Sequence, residues 1–316
     1  MAHLHDHPNC HHTRQNLNGK RLLGATLLNF FITIIQLVGG VLSNSLALFS
    51  DALHNLGDTL AIALAYAANR LSHRKADFNK TFGYKRLEIL AAFMNAFLLV
   101  IICIYLCYEA AHRFFNPEPI KSVLMLSIAF IGLLANLGSV LLLNKEKNNS
   151  INTKAAYLHL MGDTLSSVAV IVGGVLIWQF QFYWIDPLIT AILAIYIIHH
   201  TWHVLKESFN ILMQATPSGV SVIAISQRLE KIKIMSGLHH VHIWQLNDDQ
   251  LHFEGHVVVS NDCYISETQL LSQQIKNILK QEFSIDHVTL QMEYAPMECK
   301  RDLIYHSEYK TNSVLS

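Results

Sequence analysis

Apolar residues come in long runs before Glu207 and in short periodic ones after it. A helix needs about 20 residues to cross a bilayer, and six runs are long enough. They predict helices from Leu22 to Leu42, Leu46 to Arg70, Glu88 to Glu109, Lys121 to Lys145, Thr153 to Trp178, and from Asp186-Pro187 to Lys206. Between the first two, Ser43-Asn44-Ser45 predicts a tight turn. Beyond Glu207, Val222, Ile225, Leu229 and Ile232 share one face of a helix over Val220 to Ile234. Leu238 to Leu246 and Leu251 to Val259 read as strands joined by Asn247-Asp248-Asp249. Thr268 to Phe283 reads as a helix and His287 to Tyr294 as a third strand. The order αββαβ implies a two-layer domain with its helices on one face of a sheet. The expected fold is an α-helical membrane protein with six transmembrane helices plus a small α+β (αββαβ) cytoplasmic domain. The expected divisions are a His-rich tail (1–19), a transmembrane domain (20–206), the αββαβ domain (207–296) and a C-terminal tail (297–316).

Composition supports the membrane reading. Apolar residues make up 52% of the chain and charged residues 15%, against roughly 25% charged in soluble domains. The mean hydropathy is +0.30. With 23 basic and 23 acidic residues, no net charge points to nucleic acid. The placement of charge gives an orientation. Arg70, Arg74, Lys75, Lys80, Lys85 and Arg86 follow the second helix, Lys145, Lys147 and Lys154 the fourth, and Lys206 the sixth. The alternate loops are poor in Lys and Arg, so both termini are expected in the cytoplasm. The first twenty residues are polar and His-rich, unlike a cleavable signal, so the first apolar helix is expected to direct insertion. Five cysteines form no CxxC, and Cys103 and Cys107, one helical turn apart in an apolar run, read as packing residues.

The chemistry lies in two polar interruptions. The second helix contains His54-Asn55-Leu56-Gly57-Asp58, and the fifth His159-Leu160-Met161-Gly162-Asp163. Each is His-x-x-x-Asp, which puts both side chains on one helical face. In a soluble helix this spacing says little. An ionisable group at the centre of a membrane helix costs roughly 2.5–3.5 kcal/mol, and four such groups at matching places imply a binding site. Two imidazoles and two carboxylates suit a tetrahedral zinc ion. The two helices run in opposite directions, so His54 is expected level with Asp163 and Asp58 level with His159. Asp58 lies twelve residues before Arg70, about 18 Å of helix, whereas His159 follows Lys154 by five, about 7.5 Å. A meeting of the four requires the second helix to extend into the cytoplasm or the fifth to begin before Lys154.

Zn²⁺ with two ionised aspartates and two neutral histidines sums to zero, whereas the metal-free site buries two negative charges at a cost. Proton uptake relieves that cost and lowers metal affinity, which implies metal-for-proton exchange. Asp51 shares the face of His54 and Asp58 and reads either as a supporting group or as lining for the outer cavity. Asn95 and Asn136 read as helix-bridging residues. Gly39-Gly40 and Gly173-Gly174 read as sites of close helix packing, and His199, His200 and His203 as interfacial. Rival readings are a membrane metalloenzyme and a non-transporting metal sensor. The first lacks His-Glu-x-x-His and an evident general base, so the chain is not expected to be an enzyme. The second draws on His3, His5, His7, His11 and His12 with Cys10, a tail that either captures metal or merely chelates weakly.

With these residues identified, the chain resembles the cation diffusion facilitator family, especially its zinc/cadmium/cobalt efflux subgroup, from Lys20 to about Tyr294. The resemblance rests on Leu48-Phe49-Ser50-Asp51-Ala52-Leu53-His54, Thr81-Phe82-Gly83-Tyr84-Lys85-Arg86-Leu87-Glu88-Ile89-Leu90 and His240-Val241-His242-Ile243-Trp244. It implies that His54, Asp58, His159 and Asp163 bind the transported ion, with zinc as substrate alongside cadmium, cobalt, iron or nickel and no cofactor. It also implies a homodimer, proton antiport and a cytoplasmic metal-binding domain. In that domain His239, His256 and Glu293 fall where relatives place metal ligands, and Gln291 replaces a further histidine, which implies a reduced site. Some relatives hold metal between helices two and three. Here Asp77 remains, but Lys80 and Tyr84 stand at the histidine positions. Lys145-Glu146-Lys147-Asn148-Asn149 is unlike the His-rich loop of eukaryotic vesicle members, so a bacterial inner membrane is expected.

Overall fold

The computed structural model describes residues 19–72, 74–144, 151–247, 250–294 and 303. The His-rich tail, residues 145–150, Asp248 and Asp249 lie outside the described residues, as do the side chains of residues 19–29, Lys154 and His159. Six long helices come first: α1 (Gly19–Ser43), α2 (Leu46–Ser72), α3 (Leu87–Phe115), α4 (Ser122–Asn144), α5 (Ile151–Phe180) and α6 (Ile185–Leu212). Then come α7 (Val222–Leu229), β1 (Met235–Asn247), β2 (Gln250–Val259), α8 (Ile265–Phe283) and β3 (His287–Tyr294). Among the described residues, four helices, α3 to α6, are long and apolar enough to cross a membrane, and α1 adds an apolar stretch over Phe30–Ser43. The helix α5 begins at Ile151, before Lys154, which meets one of the two alternative conditions for bringing the His-x-x-x-Asp pairs together, and α2 runs on to Ser72.

The chain forms two compact units, one of residues 1–60 and 99–198, the other of 61–98 and 199–316. In the first, α4 packs along α5 and α1 against α4. The turn after α1 is built by Asn44 in the left-handed region (φ 60°). The buried Asp186 of α6 then caps α2, accepting from Leu46 N at 2.7 Å, Ala47 N at 3.2 Å and Ser45 Oγ at 2.5 Å. These donors are otherwise orphaned at a helix start, and the carboxylate also complements the helix dipole. At Gly40 the backbones of α1 and α2 approach closely. A Cβ there would lie 2.9 Å from the backbone N and Cα of Phe49, which cannot move aside as a side chain does. Cys103 and Leu106 of α3 pack with Leu46, Leu99, Ala194 and Ile197.

In the second unit, β1 pairs antiparallel with β2, and β2 pairs parallel with β3 through the α8 crossover. Both helices cover one face. Ile225 and Leu229 of α7 and Leu271, Ile275 and Leu279 of α8 pack on Leu238, Val241, Ile243, Phe253, Val257 and Val259. The helix α7 is shorter than its apolar periodicity predicts. After Leu229 the chain turns through Ile232 N to Leu229 O and Met235 N to Ile232 O, both 2.9 Å, keeping Ile232 in the core while feeding β1. The face without helices carries the polar residues.

Candidate functional site

On α2 the i, i+4 spacing sets His54 above Asp58, and α5 presents Asp163 to the same point. His54 Nε2 lies 3.6 Å from Asp58 Oδ2 and 3.4 Å from Asp163 Oδ1. One ligand atom from each of the three falls within 4.8 Å of the others. These separations exceed an ordinary hydrogen bond of about 2.7–3.2 Å. They match the edge of a zinc tetrahedron, which is about 3.3 Å for bonds of 2.0–2.1 Å. His159 sits one turn before Asp163 on α5, and its side chain lies outside the described residues.

The space beside the group is small, about 10 Å³, lined by Asp51, His54, Gly162, Asp163, Ser166, Leu193, Tyr196 and Ile197. That is about the room of a single water. A Cβ on Gly162 would stand 3.3 Å from Tyr196 Oη and crowd the same space. Asp51 is buried and accepts from Ser166 Oγ at 2.6 Å and Ser167 Oγ at 3.3 Å. Ser166 Oγ also lies 2.8 Å from Asp163 O, so its single proton has two acceptors to serve, and Asn136 Nδ2 of α4 reaches Ser167 Oγ at 3.1 Å and Asp163 O at 3.4 Å. A polar network thus fixes the turn of α5 that carries Asp163, and Asn136 bridges helices as its position predicts. The two serines follow Asp163 at i+3 and i+4, a spacing visible in the sequence that drew no attention. The cap supplied by Asp186 had no local signal, since its donors are about 140 residues away.

A second group lies on the helix-free face of the sheet. His239 and His256 are direct cross-strand partners, and Gln291 is the partner of His256 on β3. His256 Nδ1 lies 2.9 Å from Glu293 Oε1, and His239 Nε2 lies 3.4 Å from Glu293 Oε2. The ligand atoms of these three also fall within 4.8 Å of one another. Two imidazoles and a carboxylate fit zinc. Gln291 Nε2 donates to Glu293 Oε1 at 3.1 Å, so it orients the carboxylate. In the α2–α3 connection, Asp77 Oδ1 accepts from the backbone N of Asn79 and Lys80, both at 2.8 Å, and Lys80 Nζ lies 4.2 Å above the Tyr84 ring. There Asp77 shapes a turn. The His203 imidazole pairs with Glu207 at 3.5 Å on an exposed face of α6.

Residues 22–213 match the model of the cation efflux transmembrane domain, and residues 217–295 that of the cation efflux protein cytoplasmic domain. The chain is 38% identical over 297 residues to the cation efflux system protein CzcD of Alcaligenes sp. (strain CT14), covering 94% of this chain and 91% of that protein. It is 38% identical over 285 residues to the cadmium, cobalt and zinc/H(+)-K(+) antiporter of Bacillus subtilis, covering 90% and 91%. Against the zinc transporter ZitB of Escherichia coli the identity is 37% over 303 residues, covering 94% of each chain.

Proposed function

Because the chain belongs to the cation efflux family, we propose that it exports zinc by exchange for protons through a site of His54, Asp58, His159 and Asp163. The observation that carries this reading is the meeting of His54, Asp58 and Asp163 beside a cavity of about 10 Å³, with His54 Nε2 3.6 Å and 3.4 Å from the two carboxylates. His159, one turn before Asp163, supplies the fourth ligand. Names such as zinc transporter and cadmium, cobalt and zinc antiporter among the relatives support the substrate class. Cadmium, cobalt, iron and nickel suit the same nitrogen and oxygen donors.

The exchange follows from shared atoms. The imidazole lone pair that binds zinc is the one that binds a proton, and a protonated carboxylate is a poorer ligand. Zinc arriving from the neutral side displaces protons, and protons arriving from the acidic side displace zinc. Six spans, with α1 and α2 completing the four strongly apolar helices, put both termini in the cytoplasm of a bacterial inner membrane. We divide the chain into a tail (1–19), the transmembrane domain (20–206), a cytoplasmic domain (207–296) and a C-terminal tail (297–316). The cytoplasmic domain joins two copies into a homodimer and holds a regulatory zinc at His239, His256 and Glu293. A domain of roughly 90 residues with a modest core of its own supports the pairing, and the meeting of His239, His256 and Glu293 supports the zinc.

Labelled zinc and sealed inverted vesicles test this reading. Zinc accumulates inside against its gradient when the lumen is acidic, and an ionophore that collapses the pH difference stops it. Zinc binding without flux indicates a sensor, and turnover of a substrate without flux indicates an enzyme.

A further inference from the structure

The sheet face that carries His239 and His256 departs from strand geometry at one point. Side chains alternate faces along a strand, yet Leu238 and Val241 both enter the core, and two residues rather than one stand between them. The pairing with β2 shifts register between His239 and His242, and His240 takes a left-handed backbone, φ 51°. This is a β-bulge, a device that re-aims a side chain. Its effect is that two consecutive histidines point to the same face. The ring of His239 lies 5.1 Å from that of His256, and the ring of His240 lies 4.6 Å from it on its own account. Left-handed backbone is uncommon for any residue but glycine, and such conformations persist where the surroundings demand them.

Zinc takes four ligands in a structural site, and His239, His256 and Glu293 supply three. Gln291, the next residue in the cross-strand row, is an amide engaged with Glu293. We propose that His240 is the fourth ligand of the zinc site on this sheet, drawn in by rotation of its side chain, and that the bulge exists to present it. This inference rests on the reading of His239, His256 and Glu293 as a metal site. It explains why a strained backbone occupies the middle of a paired strand.

The test uses the full-length protein in lipid nanodiscs, with Asp163→Ala to silence the intramembrane group. Zinc affinity is measured by competition with a chelating dye, and Co²⁺ in place of zinc reports coordination through its visible absorption. The variants are His240→Asn and His240→Gly, both of which accept the left-handed backbone. Each is expected to weaken zinc by at least about tenfold, the lower range for losing even a group that only supports a ligand. Each is also expected to change the intensity of the cobalt bands, while the Gly variant melts no lower than its parent. Unchanged affinity and unchanged cobalt bands in both variants, with binding abolished by Glu293→Ala, overturn the role of His240 alone. Failure of the Asp163→Ala parent to bind zinc or cobalt at all removes the site on the sheet, and this inference with it.

Discussion

Among the described residues, histidine and carboxylate gather twice, by different means. Between α2 and α5 the residues are brought together by helical spacing, with His54 and Asp58 four apart and Asp163 brought in by an antiparallel neighbour. On the sheet they come from register, His239 opposite His256 and Glu293 reaching both from β3. The first group lies beside a space of about 10 Å³ with Asp51, Ser166, Ser167 and Asn136 around it. The second is laid on a sheet face whose other side is the domain core. In the proposed reading the first group releases its ion on every cycle and gains from a cramped, proton-exchanging pocket, whereas the second, on a stable sheet, holds its ion longer.

The largest expected effect separates the two groups by function. Asp58→Ala or Asp163→Ala reduces zinc flux into vesicles by at least about a hundredfold, since ligand loss exceeds the 10–100-fold cost of losing a supporting group. Glu293→Ala leaves maximal flux within about a factor of three while removing the zinc bound to the sheet. Equal losses in the two sets of variants break the comparison. Next in size is metal choice. Replacing both His54 and His159 with Asp makes an all-carboxylate site, which favours harder ions. Manganese competition against labelled zinc is expected to strengthen in this double variant, whereas His239→Asp leaves competition for transport unaltered.

Ser166→Ala sharpens the picture of the first group. It removes the one hydroxyl proton that Asp51 and Asp163 O share, and flux at low zinc is expected to fall about tenfold with maximal flux nearly kept. A loss of protein from the membrane instead assigns Ser166 to folding. The smallest effect concerns the sheet. His252 is buried against Trp244, Phe82 and His287, at ring distances of 5.3, 5.6 and 4.4 Å. Burial first, then His287, Lys85 and Arg86, hold its pKa below the ordinary 6.5. The unfolded chain therefore binds this proton before the folded one does. Stability from the neutral imidazole is present above 6.5, declines as pH falls below it, and is fully lost beneath the folded value. A plot of Tm against pH is expected to fall less steeply below 6.5 in His252→Gln than in the parent.

Much of this was legible in the chain. Runs of apolar residues gave the six helices to within a few residues at most ends, and period-two and helical patterns gave αββαβ in order. The His-x-x-x-Asp repeats were readable because one helix writes its ligands at fixed spacing. The group on the sheet was not, because no local pattern states that His239 pairs with His256 or that Glu293 lies beside them. Family resemblance alone pointed there. The bulge at His240 escaped for the same reason: His239-His240-Val241-His242 looks like plain alternation with one residue too many. The role of Asp186 was hidden by distance, since a cap on α2 supplied from α6 is a fact of packing. Ser166 and Ser167 were within reach, being one turn past Asp163.

If zinc and protons compete for the group of His54, Asp58, His159 and Asp163, zinc binding releases protons. Calorimetry of the purified Glu293→Ala protein, in buffers of different ionisation enthalpy, counts the protons released per zinc bound at pH values near neutrality. The account predicts net release that grows as the starting pH is lowered, and its loss together with tight zinc binding when Asp163→Ala is added. Tight zinc binding with no proton release, or release that persists without Asp163, contradicts the account.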